Sequence, residues 1–293
     1  MARKLFGTDG VRGKANRGDM TPETAFRIGA AVTHQARQNR SHAPRVLIGK
    51  DTRVSGYLFE TAITSGVCAM GGKAMLTGPL PTPAIAHLTI SMRADVGIVI
   101  SASHNPYDDN GIKLFGPDGF KLADEREEQL EQLMESSQLE RKRPTGTYVG
   151  RAERLDSAWG RYVAAVKSTF PSELTLDGVR IVVDAAHGAA YQTAPAVFSE
   201  LGAEVHAIGV RPNGKNINSK CGALYPDGCA REVKQRKADI GIALDGDADR
   251  LIVVDEKGNL VDGDAVMALC ATRMLRDGLL KKRTLGSTVM SNL

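Results

Sequence analysis

At 293 residues, with 42% hydrophobic and 25% charged positions, the chain has the composition of a soluble globular protein and the length for two or three domains. The formal charge of +4 is small, the basic residues are scattered and aromatics reach only 5%, which excludes the basic, aromatic-studded stripe of a nucleic-acid binder. No apolar stretch approaches a membrane span, and MARKLFGTDGVRG at the start has no apolar run behind its basic residues, so no membrane contact and no signal peptide are expected and the compartment is read as cytoplasmic.

The first stretch of note is FGTDGVRGKA (6–15), a glycine-dense loop holding Arg12. It fails as a P-loop because its glycines stand one residue too far apart and Ala15 replaces the Ser or Thr that would meet magnesium. Its backbone N–H groups and guanidinium can still face a phosphate. RVLIG (45–49) predicts a buried strand, followed by the polar loop GKDTRVSG (49–56) and a helix over 56–72 that Gly71 and Gly72 end. A further polar loop, GPLPTPAIA (78–86), precedes a second buried strand, VGIVI (96–100). Short apolar runs alternating with amphipathic helices predict an α/β fold of mixed, mostly parallel sheets covered by helices.

The strand at 96–100 empties into SASHNPYDDNGIKLFG, presenting Ser101, Ser103, His104 and Asn105. Pro106 biases Asn105 away from helix and holds the turn open. A hydroxyl at the carboxyl end of a parallel strand stands where such sheets bind ligands, although the G-x-S-x-G elbow of hydrolases is absent. From the residues alone, a nucleophilic serine on a surface turn and a plain Ser or Asx turn are both open readings.

A charged amphipathic helix is predicted near 124–139, with Leu130, Leu133 and Met134 on one face. The polar stretch 140–156, with Arg141-Lys142-Arg143, Pro144 and Gly146, reads as a solvated crossing between domains. A second β-α-β unit follows from about 159, with strands in 179–188, 204–210 and 239–245 and a helix near 190–201. After 250–264 a third unit begins, where Asp264 is placed to cap a helix carrying Val266, Met267, Leu269 and Cys270, and STVM (287–290) would be its next strand. The division is thus 1–150, 151–257 and 258–293. One strand and one helix leave apolar surface open, so the chain is expected to be a piece of a longer protein whose third domain is incomplete. Cys68, Cys221, Cys229 and Cys270 show no CxxC spacing and read as reduced thiols, and His87, His187 and His206 form no HxxxH pair.

The densest chemistry is ALDGDADRLIVV (243–254), where Asp245, Asp247 and Asp249 alternate between two apolar runs. Carboxylates converging from a strand end are hard oxygen ligands suited to magnesium or a similar cation. An EF-hand is ruled out because its sixth place needs glycine and here holds Arg250. A phosphatase of the haloacid-dehalogenase type, with Asp245 as nucleophile and Asp247 as acid, would need far more chain downstream. A solvated turn between strands is the plain alternative.

FGTDGVRG, GKDTRVSG, GPLPTPA, ISASHNPYDDNGIKLF, PNGKNIN (212–218) and DGDADR, in that order, resemble the α-D-phosphohexomutase superfamily, most nearly its bacterial branch acting on glucosamine phosphates. Relatives acting on glucose or mannose phosphates typically show TGSHNP where this chain has SASHNP, and they are the alternative reading. The resemblance implies a phosphoryl-carrying Ser103 and a magnesium site of Asp245, Asp247 and Asp249, completed by an oxygen of phosphorylated Ser103. It places Arg12, His104 and Lys113 near the transferring group. The implied activity interconverts glucosamine 6-phosphate and glucosamine 1-phosphate through a 1,6-bisphosphate, for peptidoglycan and other cell-envelope precursors. The implied partners are these sugar phosphates, and homo-oligomerisation is left open. Ala248 stands where the family usually has glycine, which would strain the loop if that position has φ > 0. The family's sugar-recognition loop and its fourth, phosphate-holding domain are not found in the 293 residues, so this chain alone is expected to bind magnesium or sugar phosphate without turnover.

Overall fold

A computed structural model describes residues 5–38, 42–288 and 291. The chain begins with β1 (Val11–Lys14) and α1 (Pro22–Arg37), a helix capped by the Thr21 side chain, which accepts the Thr24 N–H. There follow β2 (Arg45–Lys50), α2 (Ser55–Ala69), β3 (Lys73–Pro79), α3 (Thr82–Ser91), β4 (Val96–Ile100) and β5 (Asp109–Phe115). Next come α4 (Asp124–Glu135), α5 (Gln138–Arg141), β6 (Arg151–Arg154) and α6 (Ala158–Lys167). The remainder is β7 (Arg180–Asp184), α7 (Thr193–Glu200), β8 (Glu204–Ile208), α8 (Asp227–Arg236), β9 (Ile240–Leu244), β10 (Leu251–Val254), β11 (Leu260–Val261) and α9 (Gly263–Arg276).

The first sheet has the order β1-β5-β4-β2-β3-β6, parallel from β4 through β6 and antiparallel at β5 and β1. Side chains on a strand point alternately to its two faces, and both faces here are covered. Val46, Ile48, Ile98 and Ile100 pack with Ile28 of α1, Phe59 and Ile63 of α2 and Leu130 of α4. Leu47, Met75 and Val99 point the other way, onto Ile85 and Leu88 of α3 and Ala158 of α6. Continuous apolar runs are what double-sided burial demands, which is why β2 and β4 were readable from sequence.

The second sheet runs β11-β10-β9-β7-β8, again mixed. Val182, Ala243 and Val254 face Cys229 and Val233 of α8, while Ile181 and Val183 face Ala194 and Phe198 of α7.

Four local expectations change. The helix foreseen over 124–139 breaks at Ser136, whose backbone is extended, and resumes as α5, so Arg141 ends a helix rather than lying in a solvated link. Residues 151–154 form β6, which pairs parallel to β3 along the edge of the first sheet. α9 is capped by Asp262, whose side chain accepts the Asp264 N–H, instead of by Asp264. Ser287 and Thr288 of the STVM stretch are in no strand, and Val289 and Met290 lie outside the described residues. α9 buries no residue and exposes Met267, Leu269, Met274 and Leu275.

The site is set by where the parallel strands end. β2 runs into Asp51–Arg53, β3 into Leu80–Thr82, β4 into Ser101–Ser103, β7 into Ala185–His187 and β9 into Asp245–Asp249. Hydrogen bonds tie these ends together within and between the sheets. Asp51 N–H donates to Ile100 O (3.0 Å), Thr82 N–H to Asp247 O (2.9 Å), and the Thr52 hydroxyl to His187 O (2.6 Å).

Candidate active site

The serine loop and the acidic loop meet. Ser103 Oγ donates to Asp245 Oδ2 at 2.7 Å and lies 3.5 Å from His104 Nδ1. Ser103 is only 1% exposed, which corrects the expectation of a surface turn residue: the second sheet's acidic loop covers it. Its φ of +51° lies in the left-handed region, a conformation that costs a non-glycine residue about 1–2 kcal/mol. Its N–H is held by Ser101 Oγ (2.9 Å), which itself donates to Asp51 Oδ2 (2.6 Å).

Asp245, Asp247 and Asp249 each offer a carboxylate oxygen within 4.8 Å of the others. Burial, reinforced by the charges of Asp247 and Asp249, pushes the Asp245 carboxyl up to about 6, against the hydrogen bond from Ser103. Burial pushes Asp247 the same way, but the Lys113 ammonium and the Thr82 hydroxyl leave it below the ordinary carboxylate range. Lys113 Nζ stands 3.1 Å from Asp247 Oδ2 and 3.4 Å from Asp249 Oδ2. Burial works against the Lys113 charge, and the two carboxylates more than restore it.

A divalent cation fits this donor set. The three carboxylates are hard oxygen ligands, and Asp247 Oδ1 is buried with no hydrogen-bond partner, a costly state unless something positive meets it. The loop is shaped for close approach: a Cβ at Gly246 would lie 2.6 Å from Ser103 O and 2.7 Å from Asn218 Nδ2. Ala248 has φ +57°, so the strain foreseen for a residue in glycine's usual place is present.

Arg12 lies on β1 opposite Gly111 of β5, the strand that carries Lys113. Its guanidinium pairs with Asp9, and its Nε is buried without an acceptor. His104 is held below its ordinary pKa by burial and by the nearby Arg250 and Arg12 cations, with Asp247 and Asp249 opposing, so its imidazole is neutral near pH 7. All seven residues singled out from sequence thus gather where the two sheets meet.

Other residues of the site had no sequence-derived role. Thr82 donates to Asp247 Oδ2 (2.7 Å), and Arg250 N–H donates to Asp245 Oδ1 (3.3 Å). Arg53 and Asn218 both donate to backbone carbonyls of the serine loop. Thr82, Arg53 and Asn218 sit in the quoted stretches GPLPTPA, GKDTRVSG and PNGKNIN, the signal by which they could have been found.

Comparison with known proteins points one way. Residues 3–141 match the profile "Phosphoglucomutase/phosphomannomutase, alpha/beta/alpha domain I", and residues 160–258 match domain II of the same family. A phosphoglucosamine mutase of Sorangium cellulosum is 65% identical over 99% of this chain and 61% of its own length. One of Geobacter sp. (strain M21) is 59% identical over 99% of this chain and 64% of its own. A crystal structure of a phosphoglucomutase/phosphomannomutase family protein from Burkholderia thailandensis superposes with a TM-score of 0.78 at 26% identity, covering 94% of this chain and 59% of that one. The chain therefore spans about three fifths of the length of the curated relatives it matches.

Proposed function

The chain belongs to the phosphoglucomutase/phosphomannomutase family, and on that premise we propose that it carries the phosphoryl-transfer centre of a phosphoglucosamine mutase. The observation that carries this reading is the 2.7 Å contact between Ser103 Oγ and Asp245 Oδ2, which brings the carrier hydroxyl to the acidic loop. The identities of 65% and 59% to enzymes named for glucosamine favour that sugar over glucose or mannose.

In this reading phosphorylated Ser103 donates its group to the free anomeric hydroxyl of glucosamine 6-phosphate. The P–Oγ bond breaks as the new P–O bond forms, and the proton given up by the sugar hydroxyl restores the Ser103 hydroxyl, giving the 1,6-bisphosphate. After the intermediate turns over, the 6-phosphoryl returns to Ser103 Oγ and glucosamine 1-phosphate leaves for cell-envelope precursors in the cytoplasm. The hydrogen bond from Ser103 Oγ to Asp245 Oδ2 fixes where the hydroxyl stands relative to the acidic loop.

Phosphoryl transfer needs alignment and neutralisation of oxygen charge more than covalent help. Asp245, Asp247 and Asp249 would hold magnesium, which when bound supplies positive charge against the carboxylates and the phosphate ester. Lys113 keeps an ammonium beside Asp247 and Asp249. Arg12, whose Nε lacks an acceptor, offers its guanidinium to the phosphoryl oxygens. His104 stays neutral beside Ser103 Oγ and can take up or return a proton there.

The test is incubation with glucose 1,6-bisphosphate followed by peptide mapping by mass spectrometry. Phosphate on Ser103 is expected. Label on Ser101 would name the wrong serine, and label on Asp245 would favour the phosphatase chemistry instead. Preference of the complete enzyme for a hexose phosphate lacking nitrogen would overturn the choice of sugar.

A further inference from the structure

Two of the quoted loops, GKDTRVSG and PNGKNIN, receive no role from this chemistry, yet each sends one side chain to the same pair of carbonyls. Arg53, at the end of β2 and fully buried, donates from Nη2 to Ser103 O (3.2 Å) and to Asn105 O (2.6 Å), and from Nε to Pro106 O (3.4 Å). Asn218 comes from the other side, on the loop between β8 and α8 of the second sheet. Its Nδ2 donates to Ser103 O at 2.9 Å and to Asn105 O at 3.2 Å. Both targets are acceptors, so the amide must present its NH2 to them.

Each donor is itself fixed. Arg53 pairs with buried Asp51, which also accepts the Arg53 N–H (2.9 Å) and the Ser101 hydroxyl (2.6 Å). Asn218 anchors its own N–H on Ala186 O (2.9 Å) at the end of β7. With Nη1 committed to the Asp51 carboxylate, the guanidinium directs its other two nitrogens at neutral carbonyls, a costly use of a buried charge merely to hold a turn. What it holds is the peptide of Ser103, at φ +51°, whose relaxation would swing Oγ away from Asp245.

We propose that Arg53 and Asn218 are positioning residues that clamp the Ser103 turn from the two sheets, so that the carrier hydroxyl is aligned only when the two units are docked. The proposal rests on the reading of Ser103 as phosphoryl carrier. None of these bonds reaches Asp245, Asp247 or Asp249, so alignment and metal affinity should separate.

The experiment takes the 293-residue chain with Asn218→Leu, which keeps much of the bulk and loses the donors without adding a charge beside Gly246 of the acidic loop, and Asn218→Ala as a second variant should the first fold poorly. The single-turnover rate of Ser103 phosphorylation by glucose 1,6-bisphosphate is measured beside Mn2+ affinity on the same preparations. Expected is a loss in rate of roughly ten- to a hundredfold, the order that a displaced reacting group produces, with the Mn2+ dissociation constant moving less than about twofold. An unchanged rate in a folded variant overturns the clamp, and so does a parallel loss of rate and Mn2+ affinity, the mark of general unfolding of the site. If the unaltered chain takes no phosphate, the functional reading fails and crystal structures of the variants decide the clamp on their own. Ser103 leaving positive φ supports it, and Ser103 unmoved with Oγ still on Asp245 overturns it.

Discussion

Ser103 Oγ donates to Asp245 Oδ2 at 2.7 Å although the two residues stand 142 positions apart, so the carrier hydroxyl and the acidic loop share one proton. Ser103→Ala removes that proton and the attachment point together. Phosphate uptake from glucose 1,6-bisphosphate should vanish, read by intact mass. Because Ser103 is buried and Asp245 would keep its carboxyl without this donor, the variant should also lose about 1–2 kcal/mol of stability in urea denaturation. A variant as stable as the parent would mean that the contact is not held in solution.

Asp247 is the acid with most to lose. It binds Thr82 and Lys113 through Oδ2, while Oδ1 is buried and unpartnered. If that oxygen serves a cation, saturating magnesium should stabilise the chain, by about 2.7 kcal/mol at a hundred times the dissociation constant. Asp247→Asn should erase most of that increment. Thermal melts across a magnesium titration read it directly, and an undiminished increment in the variant would move the cation elsewhere.

How much of this was legible in the sequence depended on what each residue touches. VGIVI and RVLIG announced β4 and β2 because a strand buried on both faces must be apolar throughout. β6 stayed hidden because RAER, at the sheet edge, is largely exposed and carries no hydrophobic period. The acids were visible as three like charges too close to be left alone, and Ser103 as a hydroxyl at a strand end. That they meet was implied by resemblance and not by any local pattern. Arg53 and Asn218 stand in two of the stretches that carry the resemblance, but nothing near them in sequence showed what they hold, since the carbonyls lie about fifty and about one hundred and fifteen residues away. The burial of Ser103 was misread for the same reason: what covers it comes from the other sheet.

Ala248 offers a test of stored strain. Its φ of +57° places a β-carbon in the left-handed region, at a cost of about 1–2 kcal/mol, while glycine adds back some chain entropy on unfolding. Ala248→Gly should therefore stabilise the chain by about 0.5–1 kcal/mol in denaturant titrations. A destabilised variant would show that the loop gains from the stiffness of alanine more than it loses to strain.

The acidity of Asp245 predicts how cation binding responds to pH. Burial and its charged neighbours raise this carboxyl from 3.8 to about 6, so at pH 5 the metal-free chain holds a proton there that an ordinary aspartate would have released. A cation needs the carboxylate ionised, and binding below pH 6 must expel that proton. Affinity for Mg2+ or Mn2+ should therefore be level above about pH 6.5 and fall by roughly tenfold per unit as pH drops below about 6, each binding event releasing close to one proton. Calorimetric titration in buffers of different ionisation enthalpy counts the proton, and the same titration from pH 5 to 8 locates the bend. Were the bend to appear near pH 4, Asp245 would be an ordinary carboxylate and its burial against Ser103 and Asp247 would have no electrostatic consequence. In Ser103→Ala the bend should move upward, because the lost hydrogen bond is one of the contacts that favour the ionised form.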